Sequence, residues 1–316
     1  MRPINRQTPV PPPEDRESKA ELQKPGRLRD TSAAQRIGRK DRLSMDRKII
    51  IIQHSGDEGP GTIEEFFSAQ GWPVQIIDAS LNGPFPGVLD EIAAVVSLGG
   101  PMNVYEEDQF PFLADEDRFV TRLIIEEIPF LGICLGSQIL AKACGAKVFG
   151  APVAELGWAP VEITGEGRSD RLFSDLPQHL KVFQWHHDTF GIPDGGRLLA
   201  TGEACPNQAF KVGANAYGLQ FHIEATPEMV RRWVEMERGR LDTDEVMRQT
   251  VEGAGVFRRQ GNQVLDNFRR IIESSVRIRR VISMFVEDEK ARKAKHPIAW
   301  WQREELGGLK LLASHG

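Results

Sequence analysis

Four short apolar runs constrain the fold: KIIII (48–52), PVQIID (73–78), IAAVVSL (92–98) and IPFLGI (128–133). Stretches of helical character fall between them, at about 62–70 and about 113–127. Strands that lack a polar face are buried on both sides, which requires a parallel sheet with helices over it. The chain is therefore read as α/β: an open, mostly parallel sheet flanked by helices. After Gly150 the runs are shorter, namely WAPVEIT (158–164), LKVFQW (180–185), RLLATG (197–202), QAFKVG (208–213) and AYGLQF (216–221). These are read as added antiparallel strands that complete the same sheet, so one domain spans about 48–236.

The flanks differ in character. Residues 1–47 carry Pro9, Pro11, Pro12 and Pro13, with 12 Arg and Lys against 7 Asp and Glu. Such a stretch buries too little apolar surface to offset its chain entropy and is expected to be a disordered tail. It is either floppy or a basic arm that touches a partner, and Met45 offers a second candidate start. Beyond residue 237 a helical extension to 316 is expected. Val264, Phe268, Ile271, Ile278, Ile282 and Phe285 recur at helical spacing, so this amphipathic helix must cover something apolar. It covers its own domain or forms a homo-oligomer or partner interface.

Composition narrows the function classes. A net charge of -5 and a pI of about 5.9 disfavour nucleic acid or an anionic membrane as partner. No apolar run is long enough to span a bilayer, and the first residues lack the apolar centre of a secretory signal. Cys134, Cys144 and Cys205 are odd in number and form no CxxC pair. A reduced, cytoplasmic protein without a metal or cofactor is the expectation.

Three stretches carry chemistry. In Gly132-Ile133-Cys134-Leu135-Gly136-Ser137-Gln138 a strand ends at Ile133, and a helix is expected from near Gly136 to about Cys144. A cysteine on that turn stands at the carboxyl edge of the sheet. The helix N-terminus beneath it is expected to lower the thiol pKa, and the Leu135 N–H can donate to an oxyanion. A buried structural cysteine is the competing reading. The second stretch, Gly218-Leu219-Gln220-Phe221-His222-Ile223-Glu224, brings a histidine to the end of a strand, with a carboxylate two residues on that can orient it. By itself His-x-Glu also fits two metal ligands or a surface ion pair. The third, Ser97-Leu98-Gly99-Gly100-Pro101, follows a buried strand, and its Gly-Gly turn can aim the Gly100 N–H at developing negative charge. A plain turn is the alternative there.

Together GGP (99–101), GICLGSQ (132–138) and FHIE (221–224) resemble the class I (triad) glutamine amidotransferase family, including the glutaminase part of GMP synthetase. The resemblance runs through about residues 48–236. It implies Cys134 as nucleophile, His222 as base, Glu224 as its orienting acid, and backbone N–H groups of Gly100 and Leu135 as the oxyanion hole. It further implies that Gln138, Gln184, Trp185 and His186 hold the substrate, in a segment that continues through His187 and Asp188. The expected reaction is hydrolysis of the glutamine side-chain amide through a γ-glutamyl thioester. The ammonia would pass to an acceptor on a separate synthase subunit.

Two departures qualify the resemblance. Ile223 stands where many members have proline. No SGGxDS-type phosphate loop follows, and HSGDEGPG (54–61) lacks the lysine of a nucleotide loop. A stand-alone member is therefore expected. The rival readings are a γ-glutamyl peptidase with the same triad, a non-catalytic regulatory or scaffold subunit, and a related class of cysteine hydrolases or chaperones.

Overall fold

The computed structural model describes residues 47–295. The expected disordered tail, the Met45 start and the last residues of the C-terminal extension lie outside the described residues. Along the chain run β1 (Lys48–Gln53), α1 (Thr62–Ala69), β2 (Val74–Asp78), β3 (Ile92–Ser97), α2 (Phe112–Ile125), β4 (Phe130–Ile133) and α3 (Leu135–Ala143). They are followed by β5 (Val148–Ile163), α4 (Gly165–Arg168), β6 (His179–Phe190), β7 (Arg197–Thr201), β8 (Ala209–Val212), β9 (Ala216–Leu219), α5 (Pro227–Met236) and α6 (Thr243–Lys295).

All of these strands join one sheet, in the order β2-β1-β3-β4-β9-β8-β7-β5-β6. Pairing is parallel from β2 through β9. It is antiparallel from β9 to β6. The all-apolar sequences of β1, β3 and β4 explain the parallel half, because both of its faces are covered. Ile49 and Ile51 point into one layer with Phe67 and Phe268, while Ile50 and Ile52 point into the other with Phe119 and Leu123. This is the period-2 alternation of a strand expressed in a sheet with two apolar sides.

The antiparallel half differs from expectation in length. Strand β5 has 16 residues and β6 has 12, paired as one long hairpin with an irregularity between Gly150 and Glu155. Residues 148–157 are mostly exposed or half-buried and are interrupted by Gly150, Pro152 and Gly157, which break a strand-type run, so the sequence pattern is legible only from Trp158 onward. Helix α5 starts cleanly at Thr226-Pro227: the Thr226 hydroxyl accepts from the Met229 N–H at 3.2 Å, and proline suits the first helical position.

Helix α6 is integral to the core over part of its length. Val264, Leu265, Phe268, Ile271 and Ile272 are buried within the layer that also holds Ile49 and Leu131. The later members of the expected apolar stripe are not covered: Ile278 is 56%, Ile282 55% and Phe285 72% exposed. The first three stripe residues therefore serve the domain itself, and the last three are largely exposed, with Ile278 and Ile282 bordering a cleft beside Leu89 and Ile125.

Candidate active site

Cys134 occupies the sharp turn between β4 and α3, with φ at 50°. Non-glycine residues rarely adopt this left-handed region, and here the surroundings enforce it. The Cys134 N–H donates to the Leu219 carbonyl at 2.8 Å, and the Gly136 N–H donates to the Leu98 carbonyl at 3.0 Å. A β-carbon on Gly136 would collide with the Ser97 carbonyl, so only glycine lets α3 press this closely on β3. The turn is thus held by β9 on one side and β3 on the other, at the carboxyl ends of parallel strands.

The FHIE segment follows β9 directly. His222 Nδ1 lies 2.6 Å from Glu224 Oε1, and Glu224 Oε2 accepts from the Ile223 N–H at 2.9 Å. The His222 N–H donates to the Phe183 carbonyl, and the imidazole packs on Trp233 at a ring separation of 4.8 Å. Nε2 is buried and meets no hydrogen-bond partner within strict distance and angle among the described residues, yet it lies near enough to the Cys134 thiol for the two groups to shift one another's pKa. The thiol lies 3.6 Å from the Trp185 carbonyl.

Burial opposes a charge on His222, but the Glu224 carboxylate and Cys134 outweigh it and raise the imidazole well above the ordinary histidine value. Burial pushes the Cys134 thiol up, against the pull of His222. This corrects the expectation that the helix N-terminus leaves the thiol with a lowered pKa. Desolvation is the larger effect, and charge on the sulfur depends on a protonated imidazole beside it.

Cys134 opens into a cleft of about 280 Å³, close to the lower size of small-molecule sites at about 300 Å³. Gly100, Leu135, Gln138, Trp185 and His186 line it, together with Asp188 and Glu58. A larger cleft of about 450 Å³ lies elsewhere, near Arg279 and Asn215, and is lined by no cysteine or histidine among the described residues. Gln138 is tied back through its amide to the Asp188 carbonyl at 3.2 Å. Gln184 is placed differently from expectation: it is fully buried, donates to Gln208 Oε1 at 2.8 Å and does not line the cleft.

Behind the cleft wall, donor atoms of Glu155, His186 and Cys205 lie within 4.8 Å of one another and are the described residues best able to ligate a metal. Each already has a protein partner. His186 faces the Asp188 carbonyl and Glu155, Gln208 donates to Glu155 at 2.7 Å, and Cys205 meets the Thr189 hydroxyl at 3.0 Å.

Two features were missed from sequence. Glu58 lies in the loop set aside as a failed nucleotide motif. The second is a buried trio under the Gly99-Gly100 turn. His54 Nδ1 faces the Gly99 carbonyl at 3.0 Å, its Nε2 lies 2.7 Å from Glu116 Oε2, and the Ser97 hydroxyl donates to Glu116 Oε1 at 2.7 Å. Burial works against charge on His54, but Glu116 prevails and raises its pKa.

Residues 71–234 match the family model "Glutamine amidotransferase class-I". The chain belongs to that family. It is 28% identical over 197 residues to the glutamine amidotransferase-like protein YfeJ of Salmonella typhimurium, covering 61% of this chain and 82% of that protein. It is 39% identical over 132 residues to the glutamine-hydrolysing GMP synthase of Bacillus velezensis, covering 41% of this chain and only 24% of the synthase. The chain thus spans about a quarter of the GMP synthases that it matches. Among solved structures, a glutamine amidotransferase of Thermotoga maritima superposes with a TM-score of 0.66 at 35% identity, over 72% of this chain and 99% of that one. A glutamine amidotransferase of Methylobacillus flagellatus gives a TM-score of 0.66 at 27% identity, over 72% and 96%. As a class I member the chain is a cysteine-dependent amide hydrolase by family, and no helix among the described residues is long and apolar enough to cross a membrane.

Proposed function

We propose that this chain hydrolyses the side-chain amide of glutamine through Cys134, His222 and Glu224. The observation that carries the reading is the convergence of a strained cysteine turn and a buried His–Glu pair at one sheet edge, on a cleft of amino-acid size. His222, charged under the influence of Glu224, supports the thiolate of Cys134, which attacks the carboxamide carbon. Backbone N–H groups of Gly100 and Leu135 stabilise the oxyanion, each contributing roughly 10²–10³ in rate. Helix geometry leaves the Leu135 N–H without an intrahelical acceptor, as that role requires. The proton of His222 passes to the leaving nitrogen, ammonia departs, and a γ-glutamyl thioester remains. Water activated by His222 then releases glutamate and restores the thiol.

Gln138, Trp185 and His186 hold the amino-acid end of the substrate in this reading, and Gln184 supports the wall behind them. The ammonia goes to an acceptor on a synthase partner. Three free cysteines support a reducing, cytoplasmic setting. The deciding assay is glutamate release from glutamine by the wild type and by Cys134→Ala, beside a panel of γ-glutamyl peptides. Turnover of glutamine lost in the variant supports the reading. Turnover of the peptides alone makes the chain a γ-glutamyl peptidase, and activity retained by Cys134→Ala refutes the assignment.

A further inference from the structure

The loop from His54 to Gly61 is fastened to the segment that carries His222 and Glu224. The Thr62 N–H donates to the Glu224 carbonyl at 3.1 Å, and Trp233, which packs on His222, donates through Nε1 to the Asp57 carbonyl at 3.2 Å. Between these two ties stands Glu58, whose side chain enters the cleft that Cys134 opens into. Its position against the imidazole is tight. A β-carbon built on Gly99 would collide with Glu58 Oε2 and lie 3.0 Å from His222 Cε1, so the absent side chain of Gly99 is what lets the carboxylate sit beside the ring.

The Glu58 carboxylate makes no hydrogen bond or ion pair with any described residue, although burial penalises its charge; only the backbone N–H of Glu58 is engaged, donating to the Ser55 carbonyl at 3.3 Å. His222 partly offsets that penalty and Glu224 adds to it. Among the described residues the lining of the cleft includes three carboxylates, Glu58, Asp188 and Glu237, and neither Lys nor Arg. A half-buried carboxylate in this setting lacks a positively charged or strongly donating partner. The substrate atom that must face His222, and that becomes positive during the reaction, is the leaving nitrogen.

We propose that the Glu58 carboxylate is the leaving-group subsite of the Cys134 centre and receives the departing amine nitrogen of a γ-carboxamide. The inference rests on the triad reading above. In the tetrahedral adduct the His222 imidazolium gives its proton to the nitrogen, which becomes a C–NH3⁺ group. Glu58 accepts N–H bonds from that group and balances its charge. The C–N bond then breaks with its electron pair staying on nitrogen, neutral ammonia leaves, the carbonyl re-forms as the thioester, and His222 is left neutral, ready to activate water. Atoms and charge balance without a further reactant.

An ester separates this role from a structural one, because its weakly basic leaving oxygen takes the proton only as the C–O bond breaks and holds no full positive charge for a carboxylate to balance. Glutamine and the γ-methyl ester of glutamate deliver the same acyl group to Cys134, so kcat/KM for each reports the same nucleophile and oxyanion hole. Glu58→Gln and Glu58→Ala should lower kcat/KM for glutamine by roughly 10²-fold, the effect of removing one preorganised electrostatic contact. Both variants should keep ester turnover within about threefold of the wild type, which also shows that the site is folded. Equal losses on both substrates in both variants would mean that Glu58 acts through His222 or loop packing, and would overturn the proposal. So would unchanged glutamine turnover. A wild type inert toward both substrates would instead remove the triad reading, and the subsite with it.

Discussion

His222 and Glu224 are two residues apart and both buried, with Nδ1 to Oε1 at 2.6 Å, and the same carboxylate caps the intervening Ile223 N–H at 2.9 Å. One acid thus fixes the ring and the backbone that carries it. Glu224→Gln keeps the shape and removes the charge, so kcat for glutamine should fall by roughly 10²–10⁴-fold, as in triads that lose their orienting acid. The imidazole pKa, followed by NMR of the ring nitrogens, should drop in the variant. An unchanged pKa would show that Glu224 is not what raises it.

The same pair sets a pH dependence. The folded pKa of His222 is raised above its unfolded value, so the contribution to stability is fully present below the unfolded value of about 6.5. It is lost as the pH rises through the folded pKa. Urea unfolding from pH 6 upward should show a decline that Glu224→Gln removes.

Under the Gly99 carbonyl, His54 and Glu116 form a second buried pair. Glu116→Ala strips His54 Nε2 and the Ser97 hydroxyl of their buried partner, and should cost about 3–5 kcal/mol in chemical denaturation. Because the pair braces the Gly99-Gly100 turn, the surviving folded protein should also lose kcat with little change in KM.

Gly136→Ala drives a methyl group into the Ser97 carbonyl. Overpacking of this kind costs about 1–3 kcal/mol, readable as a lower urea midpoint at unchanged slope. A silent substitution would mean that α3 can slide away from β3.

Helix α6 is anchored by Phe268, Ile271 and Ile272, and Arg279 reaches the Ile92 and Ala93 carbonyls at 3.0 and 3.1 Å. A chain ending at Ser283 keeps these contacts and should retain the wild-type urea midpoint. A chain ending at Gly255 loses the buried face and should not fold. Sedimentation of the shorter folded form reports whether the exposed Phe285 stretch holds copies together.

What was legible in sequence followed from local physics. Cys134 stood out because a strand, a helix start and flanking glycines met at one residue, and β1, β3 and β4 because burial on two faces leaves unbroken apolar runs. Position along the chain did not carry Glu58 or Glu116, because the cleft that Glu58 enters, and the meeting of His54 and Ser97 around Glu116, exist only once the sheet is assembled. The family resemblance groups Gln184 with the cleft residues as part of the segment 184–188. The Gln184 amide instead donates to Gln208 at 2.8 Å, a partner 24 residues on that is not visible from the local sequence. The uncovered end of α6 carried the same helical spacing as the covered end, so periodicity alone could not tell them apart.

The backbone of Cys134 has one more consequence. Held at a φ of 50°, a side chain with a β-carbon carries strain of about 1–3 kcal/mol that glycine would not. Selection for thermal endurance alone should therefore discard this cysteine in favour of glycine, yielding a hardier descendant that the proposed mechanism makes inert. On that mechanism, persistence of Cys134 in a lineage records continuing use of its chemistry, written against the grain of folding.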